Sequence, residues 1–258
     1  MNILCIGDVF GEAGCRALMK ALPAFKRENK IDFVIANGEN SALGNGITRD
    51  SARMLLNCGV DVITGGNHSL RREEINDMLE ECSALIRPAN LLNVYSGNGI
   101  ALVDLGFVSI AVINIMGSVY LENVSDPFDK IDDLVQQAKD SGSKIIIVDF
   151  HAEATSEKKA MGYYLDGRVS AVFGTHTHIA TADEQILPKG TGYITDLGMS
   201  GVQDSVLGVE KEIIVARFKG DTTRRFIAAE GEGEINGCIF EIDNSTGLCK
   251  GVKRVKFW

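Results

Sequence analysis

The chain carries four histidines in 258 residues: His68, His151, His176 and His178. Each follows a short apolar run that reads as a strand, over Val60–Thr64, Lys144–Asp149 and Val169–Thr175. Similar runs over Asn2–Ile6 and Phe33–Ala36 lead into Asp8 and into Glu39 and Asn40, and Asn67 stands just before His68. In open α/β sheets, ligands collect beyond the carboxyl ends of the strands. Imidazoles, carboxylates and amide oxygens gathered there suit zinc, manganese or iron(II), with no thiolate needed. The set is too large for one tetrahedral ion, whereas two ions about 3.5–4 Å apart would use it. Such a pair would lower the pKa of a shared water and neutralise the oxygens of a phosphoryl group.

Taken singly, each residue has an ordinary reading. Asp8 could cap the helix that begins near Gly11, Asn40 suits a tight turn, Gly65-Gly66 would serve any turn needing positive φ, and a lone His151 could be a hydrogen-bonded structural residue. Only the joint placement points to a site. Residues i and i+2 of extended chain face one way, so FGTHTHIAT at 173–181 is expected to present both imidazoles together, with Thr177 turned away.

Behind these residues the first two-thirds of the chain alternates strand and helix. Helices are expected over Gly11–Asn29, over Arg49–Cys58 with Thr48 as its N-cap and Gly59 as its stop, and over Glu73–Glu81, Lys130–Ser141 and Ser156–Leu165 with Thr155 as cap. Strands Ile100–Leu105 and Val108–Asn114 read as a hairpin, and Gly117–Asp129 as a polar loop. After Thr175 strands alone are expected, over Tyr193–Asp196, Glu212–Phe218, Arg225–Glu230, Cys238–Asp243 and Val252–Val255, with a hairpin turn at Asn244–Gly247. No Pro/Gly/Ser-rich linker or internal repeat divides the sequence, which predicts one domain over 1–258 with a mixed α/β core of two sheets.

Composition narrows the function. At 45% hydrophobic and 24% charged residues, the chain reads as an ordinary globular protein able to bury a core. A formal net charge of −9 opposes a long basic track for nucleic acid, so any positive field for a phosphate must come from ions. No apolar stretch approaches bilayer-spanning length and the N-terminus shows no basic leader, so no membrane partner and a cytoplasmic location are expected. The six cysteines lack any C-x-x-C spacing and read as small buried residues of a reducing compartment. Cys238 and Cys249 flank the last turn and could face each other.

Five ordered blocks, GDVFG at 7–11, ANGEN at 36–40, GGNH at 65–68, DFHAE at 149–153 and GTHTH at 174–178, resemble the motif blocks of the calcineurin-like metallophosphoesterases. The chain looks most like their YmdB-like branch, bacterial phosphodiesterases that act on cyclic nucleotides, and the likeness extends to RPAN at 87–90, DLG at 196–198 and GVE at 208–210. The resemblance implies a four-layer α-β-β-α sandwich of two mixed sheets. It implies two divalent metal ions, iron or manganese favoured and zinc possible. Asp8, Glu39, Asn40 and His178 match the positions that hold one ion; Glu39, Asn67, His151 and His176 match those that hold the other. His68 matches the general acid, and the implied reaction is attack of a metal-bridging hydroxide on a 2′,3′-cyclic nucleotide, or a 3′,5′-cyclic one. Homo-oligomers are implied as well. Two positions depart from the family's pattern, Ser69-Leu70-Arg71-Arg72 after GGNH and Ser118 after NIMG, where an arginine is typical. A dimetal phosphomonoesterase or nuclease, a regulatory protein that holds a nucleotide or a partner at the same site, and a structural metal site are the other readings of these motifs.

Overall fold

The structure, a computed structural model, describes residues 1–42 and 44–258. The chain runs through β1 (Asn2–Ile6), β2 (Asp8–Val9), α1 (Gly11–Glu28), β3 (Phe33–Asn37), α2 (Arg49–Asn57), β4 (Val62–Thr64), α3 (Ile75–Glu81), β5 (Ile100–Asp104), β6 (Ser109–Met116) and α4 (Pro127–Asp140). It continues through β7 (Ile145–His151), α5 (Thr155–Leu165), β8 (Ala171–Thr175), β9 (Gln185–Ile186), β10 (Gly192–Ile194), β11 (Met199–Val202), α6 (Lys211–Phe218), β12 (Gly233–Ile242) and β13 (Cys249–Phe257). One sheet has the order β2-β11-β12-β1-β3-β4, with β13 also paired to β12; the other has the order β5-β6-β7-β8-β10-β9. Both are mixed: β1, β3 and β4 run parallel in the first, and β6, β7, β8 and β10 in the second.

Strand alternation sorts the side chains into three apolar layers. Ile3 and Cys5 face the second sheet with Phe33, Ile35, Ile147, Phe173 and Phe240, whereas Leu4 and Ile6 face the helices with Leu18, Leu22, Val34 and Leu55. On the far side of the second sheet, Ile113, Ile146, Val148 and Val172 pack against Ile131, Leu134, Met161 and Leu165 of α4 and α5. The result is the α-β-β-α sandwich, with the parallel strands of both sheets ending at one edge. No helix among the described residues is long and apolar enough to cross a membrane.

Local chemistry explains most boundaries. The Thr48 hydroxyl accepts from Ser51 N, and the Ser51 hydroxyl accepts from Thr48 N, a reciprocal cap on α2. Gly59 then supplies the left-handed residue that stops the helix.

Several expectations need correction. Residues 212–218 form helix α6 and not a strand. Their β-branched run finds no strand partner among the described residues, so the backbone satisfies its hydrogen bonds locally. Residues 225–230 make a single bridge, between Ala228 and Val209. The polar loop expected over 117–129 gives way to helix at Pro127, because the Asp126 carboxylate accepts from Phe128 N and Asp129 N and proline is well placed at a first helical position. α5 starts at Thr155 with Ala154 as its N-cap residue and no side-chain cap. The last hairpin forms as expected, yet its register sets Cys249 opposite Ile242 and Cys238 opposite Arg254, so these two cysteines do not face each other. On its other side Cys238 meets Cys5; all six cysteines are free thiols.

Gly14 shows how tightly α1 is seated. A methyl there would lie 2.4 Å from Ser200 O on β11 and 3.1 Å from Val9 Cγ1. Alanine favours a helix interior by about 1 kcal/mol over glycine, but forcing the helix off a backbone carbonyl costs about 1–3 kcal/mol. Gly14→Ala is therefore expected to lower the urea midpoint of unfolding; a midpoint above wild type would show that α1 shifts freely.

Candidate metal centre

The sandwich brings all eight singled-out residues to one end. Asp8 lies on β2, Glu39 and Asn40 follow β3, Asn67 and His68 follow β4, His151 closes β7, and His176 and His178 follow β8. Asp8 does not cap α1, whose N-cap residue is Phe10 with no side-chain hydrogen bond. Its carboxylate is fully buried and turned toward His176 and His178 instead. The histidine pair reaches the site by a route other than extended chain. His176 has φ 99° and His178 φ 65°, left-handed conformations that cost non-glycine residues about 1–3 kcal/mol each.

The densest cluster surrounds His151 Nε2, which lies 2.9 Å from Asn67 Oδ1, 3.1 Å from His176 Nδ1 and 3.3 Å from Glu39 Oε1. Hydrogen-bond accounting fixes which nitrogens carry protons. A buried carboxylate, Asp149, accepts from the hydroxyls of Thr64 and Thr175 and from Asn37 Nδ2. Because Thr175 donates to Asp149, its oxygen must accept from His151 Nδ1–H at 2.9 Å, leaving the Nε2 lone pair aimed at the cluster. His176 Nε2 donates to Glu153 at 2.9 Å, which leaves the Nδ1 lone pair aimed the same way. Two ring lone pairs, a carboxylate oxygen and an amide oxygen thus converge. Donors bound about 2.0–2.2 Å from a common ion stand about 3–3.5 Å apart, so the spacing fits a divalent cation.

A second set adjoins it. Asp8 Oδ1 is buried with no hydrogen-bond partner among the described residues and lies 3.8 Å from His178 Nε2; His178 Nδ1 is orphaned too. Leaving such an acceptor unmet costs about 1–3 kcal/mol, and a cation removes that cost. Asn40 sits between the sets, its Nδ2 3.0 Å from Glu39 Oε1 and 3.3 Å from His178 Nε2, with Oδ1 2.9 Å from His68 Nδ1. In this orientation it is the amide nitrogen that faces the donors, so serving an ion through oxygen requires the amide to turn over. Glu39 touches both sets, and its Oε2 accepts from His68 N at 2.8 Å.

Electrostatics agree with a site that attracts positive charge. Burial pushes the Asp8 carboxyl up, against the pull of His178 and His151. Burial would also raise Glu39, but the His151 ring and its hydrogen bond hold it at about 2. Although burial pulls His151 down, Glu39, Asp8 and Asp149 lift it to about 9, while burial and the neighbouring His151 drop His176 to about 3. A proton and a cation would thus compete for the same His151 Nε2 lone pair, and an ion bound there would displace the proton. Burial draws His68 below the ordinary imidazole value, and Glu39 opposes the shift.

The two family departures leave the donors intact. Ser69 is buried, and its hydroxyl accepts from Gly66 N at 2.7 Å, tying down the turn that carries Asn67 and His68. Ser118 N donates to Glu157 at 2.8 Å, which anchors the segment after β6. Sequence reasoning missed Asn37, Thr64, Asp149, Thr175, Asn114 and Glu153. The signal for five of them was polar residues inside apolar strands: Asn37, Thr64, Asn114, Asp149 and Thr175 are fully buried on β3, β4, β6, β7 and β8. Asn114 both accepts from Gly65 N and donates to Gly65 O, fixing the GGNH turn.

The family described as YmdB-like protein matches residues 4–255. A 2′,3′-cyclic-nucleotide 2′-phosphodiesterase of Bacillus subtilis (strain 168) is 45% identical over 255 residues, covering 99% of this chain and 96% of that protein. Among solved structures, a hypothetical protein from Thermus thermophilus superposes with TM-score 0.92 at 38% identity, over 100% of this chain and 99% of that one. A novel phosphatase from Mycoplasma pneumoniae gives TM-score 0.92 at 31% identity, over 100% of this chain and 93% of that one.

Two substitutions probe the cluster. A methyl on Gly66 would sit 2.2 Å from His151 Nε2 and 2.4 Å from Glu39 Oε2, in the space between the donors. Gly66→Ala, which would push His151 and Glu39 apart, is expected to lose metal on elemental analysis of the folded protein; full metal content would place the ions elsewhere. Thr175→Val removes the acceptor that fixes the His151 tautomer, and outer-sphere partners of this kind are worth about 10–100-fold in metal affinity. Unchanged affinity in a chelator competition would remove Thr175 from that role.

Proposed function

The chain belongs to the YmdB-like family, and from that membership and the donor geometry we propose that it is a metal-dependent phosphodiesterase acting on cyclic nucleotides. The observation that carries this reading is the crowd of acceptors around the buried His151 Nε2, joined by no lysine or arginine of the described residues. Asp8, Glu39, Asn40 and His178 would hold one divalent ion, and Glu39, Asn67, His151 and His176 the second. The mixed N/O set suits iron, manganese or zinc. When bound, the ions supply a water acidic enough to ionise near neutral pH and positive charge for the phosphoryl oxygens, in a protein whose net charge is −9.

The protein's own groups do the rest. His68 Nδ1 lies 2.9 Å from the Asn40 amide, a contact that fixes the ring and leaves Nε2 to carry the transferable proton. The His68 side chain remains 31% exposed, open to a substrate where the other donors are closed. Burial lowers its pKa, and a bound phosphoryl anion acts in the opposite direction, favouring the imidazolium. For a 2′,3′-cyclic nucleotide, the water oxygen joins phosphorus as the P–O2′ bond breaks, and O2′ takes the His68 proton. The water gives up a proton that restores His68, and the product is a nucleoside 3′-monophosphate.

The test is turnover of 2′,3′-cyclic AMP, 3′,5′-cyclic AMP, an aryl phosphate and a short RNA by manganese-loaded protein. The 2′,3′ ring is expected to be opened fastest; preference for the aryl phosphate or RNA would reassign the enzyme, and binding without any monophosphate release would make it a regulatory protein. His68→Ala is expected to lower kcat by ~10²–10⁴, the usual worth of a general acid, with metal content kept. Metal lost together with activity would make His68 a ligand.

A further inference from the structure

The only fully buried lysine among the described residues lies next to the donors without being one of them. Lys158 Nζ, on α5, meets Asp196 Oδ2 at 2.5 Å, and both side chains are 1% exposed. Burying such a pair brings little stability, because desolvation of each charge costs several kcal/mol and apolar side chains of similar volume often do as well. Its partners suggest another purpose. Lys158 Nζ donates to Thr175 O at 2.7 Å, just before His176. Asp196 Oδ2 accepts from Thr177 N at 3.2 Å and from Thr177 Oγ1 at 2.8 Å, between the two histidines. Asp196 Oδ1 accepts from Gly198 N at 2.8 Å, and the next residue, Met199, donates its N–H to His178 O at 3.1 Å. The pair therefore grips the turn before, within and after the histidines.

That turn needs holding. His176 at φ 99° and His178 at φ 65° both occupy left-handed backbone, which persists only where the surroundings over-determine it. The neighbouring glycine leaves no slack: a methyl on Gly174 would meet Thr195 O at 1.9 Å and Lys158 Cδ at 3.0 Å. We propose that Lys158 and Asp196 are positioning residues whose buried charge pair holds the Thr175–His178 turn in the strained shape that sends His176 Nδ1 and His178 Nε2 to their two ions. The proposal rests on the reading that both histidines are ligands.

Mn²⁺ affinity separates positioning from mere packing. Wild type, Lys158→Met and Thr177→Val are compared for Mn²⁺ per chain by elemental analysis, for affinity by competition with a chromophoric chelator, and for the urea midpoint. Wild type is expected to bind two ions per chain. Lys158→Met is expected to bind ~10- to 100-fold more weakly per folded molecule, as loss of an outer-sphere support does. Thr177→Val, which removes only one contact to Asp196, should shift the same way by less. A lowered midpoint with unchanged affinity would overturn the positioning role. Should Lys158→Met fail to fold, Thr177→Val decides alone, unchanged affinity again refuting it. A wild type that binds no Mn²⁺ would instead refute the two-ion reading.

Discussion

Two ring nitrogens, His151 Nε2 and His176 Nδ1, stand 3.1 Å apart. As neutral imidazoles with both lone pairs turned inward they would repel, and so would the nearby oxygens of Glu39 and Asn67, so the arrangement calls for a positive charge between them, a proton on His151 or a cation. Everything around the pair enforces it. Thr175 and Asp149 prevent His151 from turning its proton inward, and Glu153 does the same for His176. A fold that spends this many buried hydrogen bonds on presenting bare acceptors is organised for a cation.

The same logic runs outward through α5. Two consecutive buried residues on its first turn, Glu157 and Lys158, reach to different segments of the chain. Glu157 holds the backbone at Ser118 and Val119, and Lys158 holds Thr175 O and Asp196. The helix thus does more than cover the second sheet. It carries two anchors for loops that have little secondary structure of their own.

The convergence of the candidate residues is legible in the sequence because positions at the carboxyl ends of parallel strands follow directly from strand prediction: once Phe33–Ala36 or Val169–Thr175 reads as a strand, the residues after it are located. The four-layer arrangement is legible through the family's ordered motif blocks, and the alternation of Ile3, Leu4, Cys5 and Ile6 between two layers bears it out. What stays hidden depends on tertiary partners. Lys211–Phe218 has the composition of a strand, and only the lack of a neighbouring strand among the described residues makes it a helix. Extended spacing would have His176 and His178 share a face, whereas they are aimed by left-handed backbone that no local signal announces. Asp149 and Asn114 stand out only as polar residues in apolar strands, and the hydrogen bonds across the sheets that give them partners are not written in the sequence.

The donors also divide by origin. Asp8, Glu39, Asn40 and Asn67 lie on or follow strands of the first sheet and carry side-chain oxygens, that of Asn40 facing the site only once its amide turns over, whereas His151, His176 and His178 lie on or follow strands of the second and carry ring nitrogens. An ion held by both kinds would therefore be a rivet between the two halves of the sandwich. It would close long stretches of chain, as between Glu39 and His151, in the way a cross-link does, and its binding free energy would add to the stability of the folded state. Metal supply and structural cohesion would then be one linked quantity, with a chain deprived of ions losing part of the grip between its sheets.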